Sequence, residues 1–244
     1  MRIFTALRLA IRSFVFREEF AQYLLSERIC GLIYPKYRFS EFARDFLEDR
    51  EFLADYELFG TDNYHSLDRK YALWNLLLLT EALSGDTAEC GVLEGASSLL
   101  ICKRTAGQGK PHHVFDSFEG LSAPGPRDGT YWTKWALACA EEAVRRRLAP
   151  FPWVVYHPGW IPSRFPDVAD RTFSFVHVDV DLYQPTLDSL SFFYGRLQPG
   201  GVLLCDDYGF TTCPGARQAM DEFFQDKPEK IVALPTGQGF VQKR

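Results

Sequence analysis

A strand–helix–strand unit that carries four aspartates constrains this chain more than any other feature. It occupies residues 172–209, TFSFVHVDVDLYQPTLDSLSFFYGRLQPGGVLLCDDYG. Residues 173–180 are rich in Phe and Val, as expected of a strand buried on both faces. A helical pattern follows Pro185, and a Pro-Gly-Gly turn at 199–201 leads into a second strand at 202–204. Such a connection predicts two parallel strands, whose carboxyl ends lie at the sheet edge where open α/β folds bind ligands.

Two pairs of acids follow these strands. Asp179 and Asp181 are two residues apart, so in a strand they would share a face, about 6.7 Å apart. Asp206 and Asp207 are adjacent and converge only if their strand has already ended. Carboxylates about 4 Å apart repel by roughly 4 kcal/mol at an effective dielectric near 20, so a cluster requires a cation or protons. All-oxygen ligation favours a hard ion, most simply Mg²⁺, although Asp207 as a loop cap and a solvated Asp181 remain the alternative.

Alternating strands and helices predict a doubly wound, mostly parallel seven-stranded sheet with an antiparallel last strand. The predicted strands are 87–92, 112–116, 152–157, 173–180, 202–204, 229–233 and 238–242, and the predicted helices are 67–83, 96–105, about 134–148, the segment after Pro185, and about 215–225. We assign residues 67–244 to this domain and residues 1–66 to a helical N-terminal extension.

The extension begins with a basic amphipathic helix within residues 1–20. It could lie on a membrane surface, but packing on its own domain or on a second subunit is the better prediction. The aromatic segment that follows, to Tyr64, is expected to form short helices that cover one edge of the fold or make an oligomer contact, and a homodimer is the expected assembly. The 244 residues contain no run long enough to span a membrane, and a net charge of −5 argues against nucleic acid. Six cysteines without metal spacing favour a reduced, cytoplasmic protein.

The first strand ends in a glycine-containing loop, ECGVLEGAS, at 89–97. Glycines let the backbone approach a ligand, and the following helix N-terminus favours a negative group, although such a loop can also be a tight turn. Asp116 ends the second strand about 20 residues later, where doubly wound folds place a carboxylate on a ribose. Alternatively, Asp116 caps a turn or a helix. Together these features predict a nucleoside cofactor with an anionic end and no pyrophosphate.

A segment at about 120–136 is too rich in Pro and Gly for regular structure. We interpret it as a lid whose Tyr131, Trp132 and Trp135 stack on a sugar or other ring, with a surface loop anchored by buried aromatics as the alternative. His177 shares the face of the first acid pair but lies deeper, and we expect it to be a hydrogen-bonded core histidine.

These residues resemble a known family. The pattern E-x-G-x-x-x-G at 89–95, with an acid after strand two, is typical of class I S-adenosylmethionine-dependent O-methyltransferases, which have a Rossmann-like fold. Residues 177–209 and FDSFEGL at 115–121 are similar to the macrocin-type (TylF-like) sugar O-methyltransferases of macrolide and aminocoumarin pathways. The resemblance covers roughly Tyr64 to the C-terminus.

The resemblance implies roles for the matching residues. Asp179, Asp206 and Asp207 would hold a divalent metal, expected to be Mg²⁺, while Asp181 would be the general base beside Asp179. S-adenosylmethionine would contact Glu89, Gly91, Gly95, Ala96 and Ser97 with its amino-acid end, Asp116 with its ribose, Ser117 and Phe118 with its nucleoside, and Gly159 and Trp160 near its adenine. In the family, Thr-Leu-Pro usually follows the positions that match Gly159 and Trp160. Residues 161–166 lack this sequence, so the wall of the site near the adenine differs from the family pattern. Tyr64 to Arg69 resembles a stretch that touches the cofactor.

The implied function is metal-dependent transfer of a methyl group from S-adenosylmethionine to a hydroxyl of a sugar or glycosylated small molecule, in natural-product or polysaccharide chemistry. The nearest alternative is a metal-dependent methyltransferase of a catechol or another phenol, in which a lysine usually serves as base. No lysine lies between Lys134 and Lys227, which favours the sugar type. A cofactor-binding homologue without activity is a further alternative, and the four intact acids argue against it.

Overall fold

The computed structural model describes residues 3–36, 45–59 and 66–244. The chain divides into two compact units, Met1–Glu48 and Asp49–Arg244. The first contains α1 (Ile3–Phe14) and α2 (Glu19–Ile33), and an ion pair between Arg12 and Glu18 fixes the turn between them. The helix predicted in residues 1–20 is therefore confirmed. What it packs against, and the domain boundary at residues 66 and 67, stay predictions. Part of the aromatic segment to Tyr64 lies outside the described residues.

The second unit is a seven-stranded sheet with helices on both sides in the described part of the chain. Its strands are β1 (Asp86–Cys90), β2 (His112–Asp116), β3 (Val154–Pro158), β4 (Phe173–Val178), β5 (Leu197–Cys205), β6 (Val232–Ala233) and β7 (Gly239–Gln242). Its helices are α3 (Arg50–Tyr56), α4 (Leu67–Leu76), α5 (Ala96–Arg104), α6 (Glu141–Leu148), α7 (Tyr183–Phe193) and α8 (Pro214–Phe224).

The strand order is β3-β2-β1-β4-β5-β7-β6. The first five strands are parallel, and β7 runs antiparallel to both β5 and β6. The predicted doubly wound sheet with an antiparallel end is therefore confirmed. The order reverses between β1 and β4, and such a switch point opens a crevice at the carboxyl ends of the strands.

The core explains why the central strands are so apolar. All residues of β1 and β4 are buried, because helices cover both faces of the sheet. Phe115, Phe165, Phe173 and Phe193 meet edge to face beneath the sheet with ring centroids 4.9–5.8 Å apart. This packing holds β2 and β4 against the end of α7.

Two predicted helices have different bounds in the structure. The helix predicted at about 134–148 begins only at Glu141, because Trp135 and Leu137 have φ values of 72° and 62°, which a right-handed helix excludes. The helix predicted at 67–83 ends as an α-helix at Leu76 and continues as a 3₁₀ turn to Thr80.

The central crossover also differs from its prediction. α7 begins at Tyr183, two residues before Pro185, which is tolerated in the first turn of a helix. β5 begins at Leu197 and includes the Pro-Gly-Gly segment that was predicted to be a turn. Pro199 fits there because β4 does not pair with β5 between Leu197 and Val202.

None of the helices in the described ranges is long and apolar enough to cross a membrane.

Candidate active site

A cavity of about 440 Å³ opens at the carboxyl edge of the sheet. Of the residues predicted to form the site, Gly91, Asp116, Ser117, Trp160, Asp179, Asp181 and Asp207 line it, whereas Glu89, Gly95, Ala96, Ser97, Phe118, Gly159 and Asp206 do not. The strand ends therefore bring the central part of the predicted cofactor site and three of the four acids to one cavity. The individual roles of these residues stay predictions.

Gly91 places the loop after β1 against the segment after β4. Its φ is +80°, and a Cβ built there would lie 1.8 Å from the carbonyl oxygen of Asp179. Its N–H donates to the carbonyl of Phe115 (2.9 Å). Only glycine fits this position, so the two strand ends that flank the switch point can approach each other closely. Gly95, directly before α5, also has a left-handed backbone conformation, with a φ of +85°.

Asp116 ties the end of β2 to the same loop. Its Oδ2 accepts hydrogen bonds from the N–H groups of Val92 (2.6 Å) and Leu93 (3.4 Å), and its Oδ1 accepts one from Phe118 (2.7 Å). Burial raises the pKa of this carboxyl despite these bonds. A carboxylate offers about four acceptor sites and three are used here, so one remains for a hydroxyl group from the cavity. The residues present therefore fit a ribose at this point.

His177 connects the cofactor loop to the acid cluster. Its Nδ1 lies 2.9 Å from Glu89 Oε1, and its Nε2 lies 3.2 Å from Asp206 Oδ1. Burial alone would lower its pKa, but these two carboxylates raise it to about 9. The prediction of a hydrogen-bonded core histidine is confirmed. Glu89 also accepts a hydrogen bond from Ser98, which accounts for its position behind the cavity wall.

The first acid pair does not lie in a strand. β4 ends at Val178, and Asp181 has a φ of +59°, so the prediction that both acids share one strand face is wrong. Burial, together with the charge of Asp206, raises the pKa of Asp179 to about 6. Burial and the charge of Asp179 raise that of Asp181 to about 7. The left-handed turn directs the two acids to different partners.

The second acid pair, Asp206 and Asp207, follows directly after β5, which ends at Cys205. Gln238 donates to Asp206 Oδ1 (2.7 Å), and Arg69 lies 2.8 Å from its Oδ2. Although burial opposes ionisation, Arg69 and Lys70 lower the pKa of Asp206. Asp207 Oδ2 accepts the backbone N–H of Asp181 (3.0 Å). Burial and the charges of Asp181 and Asp179 raise the pKa of Asp207 well above its usual range.

Candidate metal ligands form two groups among the described residues, each with ligand atoms within 4.8 Å of one another. One contains His177, Asp179 and Asp206, and the other contains Asp181, Asp207 and Cys213. The predicted metal ligands are thus divided between two adjacent groups.

The charge balance of this region fits a divalent cation. Its carboxylates are Glu89, Asp179, Asp181, Asp206 and Asp207, and its cations are Arg69, Lys70 and His177. If all are ionised, two negative charges remain uncompensated. Burial first, and then the neighbouring carboxylates, raise the pKa values of Asp179, Asp181 and Asp207. Carboxylate oxygens are the ligands that hard divalent cations prefer.

Sequence reasoning missed the two basic residues of α4. Lys70 is buried and donates to Ser97 Oγ (2.6 Å), and Arg69 packs over Phe210, its guanidinium carbon 4.9 Å from the ring centroid, while reaching Asp206. A signal was present, because Lys70 falls on the apolar face defined by Leu67 and Trp74. A lysine on a buried helix face must find a polar partner.

The predicted lid contains no regular structure, as expected. Leu121 N–H donates to Ala136 O (2.8 Å) and Trp135 N–H to Leu121 O (2.9 Å), so the two ends of the segment meet. Trp132 lines the cavity, and Trp135 packs against Trp160 with ring centroids 5.9 Å apart. Stacking of the aromatics on a bound ring stays a prediction.

Comparisons with known proteins agree with this geometry. Residues 37–233 match the family described as Macrocin-O-methyltransferase (TylF). The demethyldecarbamoylnovobiocin O-methyltransferase of Streptomyces niveus is 31% identical over 153 residues, which cover 57% of this chain and 58% of that protein. The chain thus spans less than two thirds of this relative.

A second relative aligns over more of the chain. The 8-demethyl-8-(2,3-dimethoxy-alpha-L-rhamnosyl)-tetracenomycin-C 4'-O-methyltransferase of Streptomyces olivaceus is 28% identical over 215 residues, which cover 79% of this chain and 81% of that protein.

Among solved structures, the O-methyltransferase NovP has the same fold. It superposes with a TM-score of 0.61 at 23% identity, covering 75% of this chain and 83% of NovP. The class I methyltransferase fold expected from the sequence is confirmed. The chain belongs to the Macrocin-O-methyltransferase (TylF) family, and with it to the S-adenosylmethionine-dependent O-methyltransferases.

Proposed function

We propose that this protein is a metal-dependent enzyme that transfers a methyl group from S-adenosylmethionine to a sugar hydroxyl of a glycosylated small molecule. The observation that carries the proposal is the single cavity that joins Gly91 and Asp116 to Asp179, Asp181 and Asp207. The names of relatives support the acceptor class, since one acts on a rhamnosyl-tetracenomycin and another is a mycinamicin III 3''-O-methyltransferase.

The chain's own residues would divide the work as follows. Asp116 and the loop at Gly91 bind the cofactor, whose sulfonium supplies an electrophilic methyl group. Asp179, Asp206 and Asp207 would hold the cation, which when bound supplies stabilisation of negative charge on the acceptor oxygen. Asp181 accepts the proton of the acceptor hydroxyl, a contribution typically worth about 10²–10⁴-fold in rate.

The lid excludes water and orients the acceptor. Trp132 and Tyr131 line the cavity on the side of Asp181, and their rings lie edge to face with centroids 4.8 Å apart. An aromatic wall favours the apolar face of a sugar or of its aglycone. Correct alignment of oxygen, methyl carbon and sulfur then supplies much of the rate enhancement as proximity.

The phenol alternative is less well supported. Of the described residues that line the cavity, none is a lysine that could act as base. Lys70 lies behind the wall and donates to Ser97.

The test is a methylation assay with matched acceptors. The protein is incubated with S-adenosylmethionine and a panel of glycosides, their aglycones and a catechol, with Mg²⁺ or with a chelator. S-adenosylhomocysteine formation and acceptor mass are measured. We expect methylation of a glycoside and not of its aglycone, and loss of turnover with the chelator. Methylation of the catechol alone would favour the phenol reaction, and cofactor binding without turnover on any acceptor would indicate a non-enzymatic homologue.

A further inference from the structure

Asp181 needs side-chain support that the predicted metal ligands do not provide. A non-glycine residue in the left-handed region costs of order 1–3 kcal/mol and persists only where surrounding contacts hold it. Its N–H donates to Asp207 Oδ2 (3.0 Å), which fixes the backbone but not the carboxylate. The contact to its Oδ1 comes from Cys213, whose Sγ lies 3.4 Å away.

The position of Cys213 is fixed by the chain that leads to it from the second acid pair. Phe210 N–H donates to Asp207 O (3.2 Å), and Cys213 N–H donates to Phe210 O (3.1 Å). These consecutive turns place Cys213 directly before α8, where it is only 2% exposed. The thiol therefore has a defined location relative to both Asp207 and Asp181.

The thiol carries the proton in its contact with Asp181. Burial, and then the charges of Asp207 and Asp181, raise the pKa of Cys213. In this contact Sγ is the donor and Asp181 Oδ1 is the acceptor, and a protonated thiol is a weak donor. The hydroxyl of Thr212 lies 3.6 Å from the same sulfur and is the longer contact.

Trp132 donates a second hydrogen bond to this contact series, to the sulfur of Cys213. Its indole Nε1–H lies 3.3 Å from Cys213 Sγ, and indole is a donor only, so the direction is fixed. Trp132 belongs to the lid, whose ends pair with each other and whose Trp135 packs against Trp160. The sequence of contacts therefore runs from the cofactor wall, through the lid and the thiol, to Asp181.

We propose that Cys213 is a positioning residue that holds the carboxylate of Asp181 and couples its orientation to the closed lid through Trp132. The inference rests on the proposed function, because it takes Asp181 as the base. With Oδ1 held by the thiol, Oδ2 is the oxygen directed to the acceptor hydroxyl. An open lid would withdraw the indole from the sulfur and loosen the base.

The kinetic test compares Cys213→Ala, Cys213→Ser and Trp132→Phe with the wild-type protein. For Cys213→Ala we expect kcat to fall about tenfold, the scale of one hydrogen bond to a charged group, with the KM of the acceptor and the Kd of S-adenosylhomocysteine unchanged. Cys213→Ser should restore kcat to within about threefold of wild type, because a hydroxyl is also a donor. Trp132→Phe keeps an aromatic ring in the cavity wall but removes the indole donor, so kcat should fall with little change in the KM of the acceptor. In the Cys213→Ala background the same change should lower kcat no further, because the two residues act in one chain.

Cys102→Ala is the matched control. It removes another fully buried thiol, from α5, and should leave kcat unchanged. Full kcat in Cys213→Ala, or additive losses in the double variant, would overturn the inference.

A spectroscopic arm tests the geometry without turnover. The infrared S–H stretching band of Cys213 is the band lost in Cys213→Ser. In Asp181→Ala it should move toward the frequency of a free thiol, because its acceptor is gone. An unshifted band overturns the inference even if the wild-type protein methylates its acceptor. A failure of the wild-type protein to bind S-adenosylhomocysteine would instead count against the proposed function, and a shifted band would still support the contact.

Discussion

At the scale of single residues, the conformation of Asp181 organises the site. Its φ of +59° turns the chain immediately after Asp179, so the two acids contribute to different groups. Asp179 lies with His177 and Asp206, whereas Asp181 lies with Asp207 and Cys213. The group of Asp179 lies beside the cationic Arg69 and Lys70, and the group of Asp181 contains the acid that we assign to proton transfer.

The first prediction concerns that acid. Asp181→Asn keeps the size of the side chain but removes its capacity to accept a proton, so kcat should fall by about 10²–10⁴-fold. The Kd of S-adenosylhomocysteine should change little. Turnover of a glycoside acceptor and calorimetry measure the two quantities. Asp226→Asn, at an exposed position on the surface, should leave both unchanged. Full turnover in Asp181→Asn would refute the assignment.

Residue-level prediction from the sequence succeeded where chemistry follows a strand end. The acids after β4 and β5 and the buried role of His177 were predicted from local patterns. Arg69, Lys70 and Cys213 were not. Arg69 and Cys213 reach the acids from α4 and from the turn before α8, and no local spacing reports such contacts. Lys70 falls on the apolar face of α4, a signal that was not used. The strand geometry assumed for Asp179 and Asp181 failed because Asp181 is left-handed, a conformation that aspartate adopts only occasionally and that its position in an apolar run does not reveal.

At the scale of elements, the lid is held to α7 by one carboxylate. Asp128 Oδ1 accepts the N–H of Tyr183 (2.6 Å) at the start of that helix, and Oδ2 accepts the N–H of Gly125 (2.7 Å) within the lid. Gly215 of α8 lies so close that a Cβ there would be 2.1 Å from Asp128 Oδ1. The lid is therefore anchored between two helices that both border the cavity.

Asp128→Ala should loosen the lid. The change leaves the buried N–H of Tyr183 without its acceptor, which costs about 1–3 kcal/mol. We expect faster hydrogen exchange at the Tyr183 amide and across residues 120–136, and a higher KM for the acceptor. Glu119→Ala, which removes an exposed carboxylate next to the lid, is the control and should change neither. Unchanged exchange in Asp128→Ala would show that the lid is held by other contacts.

The approach of the loop after β1 to the segment after β4 gives another prediction. Gly91→Ala forces a Cβ against the Asp179 carbonyl, whereas Gly107→Ala has a similar φ (+79°) with nothing within 4 Å. Both changes pay for a left-handed alanine, about 1–2 kcal/mol. Gly91→Ala should cost about 1–3 kcal/mol more in the free energy of unfolding, through overpacking. Denaturant unfolding of both variants measures the difference, and equal losses would contradict the proposed close approach.

Element types were easier to predict than element limits. Every predicted strand exists, because apolar runs bounded by turn residues report burial on both faces. The helix predicted from residue 134 starts at Glu141, since the lid anchors Trp135 and Leu137 in left-handed conformations that tertiary contacts select. The early start of β5 reflects the pairing of Leu197 with Phe173 of β4, which a Pro-Gly-Gly sequence does not reveal.

At the scale of the whole molecule, buried histidines make stability depend on pH. His112 lies between Thr87 Oγ1 (2.9 Å) and Ser98 Oγ (3.0 Å), and burial lowers its pKa from 6.5 to about 4. The unfolded chain therefore binds a proton that the folded protein does not bind in this range. The stability present above pH 6.5 is lost as the pH falls toward about 4.

His112→Gln should flatten this dependence. The shift corresponds to about 3 kcal/mol between the two ends of the range. The variant is expected to be less stable at neutral pH, but its free energy of unfolding should change less between pH 6.5 and pH 4 than that of the wild type. Urea unfolding at a series of pH values gives both slopes. Parallel profiles would show that His112 is not buried in its neutral form.

In the proposed function, the whole fold places a cofactor beside an acid cluster at one sheet edge. The reversal of strand order between β1 and β4 opens the crevice, which Gly91 and Asp116 line together with Asp179, Asp181 and Asp207. In the proposed function, a divalent cation would offset the excess negative charge of these acids. Binding of the cofactor at this edge is the claim on which the proposed chemistry depends.

Calorimetric titration with S-adenosylhomocysteine tests that claim most directly. We expect one molecule to bind per chain with micromolar affinity, with Mg²⁺ or with a chelator. Asp116→Ala should weaken binding about tenfold or more, because a charged partner of the ribose is lost. Asp181→Asn should bind as tightly as the wild type. Absence of binding at micromolar ligand, or undiminished binding by a folded Asp116→Ala protein, would contradict the account.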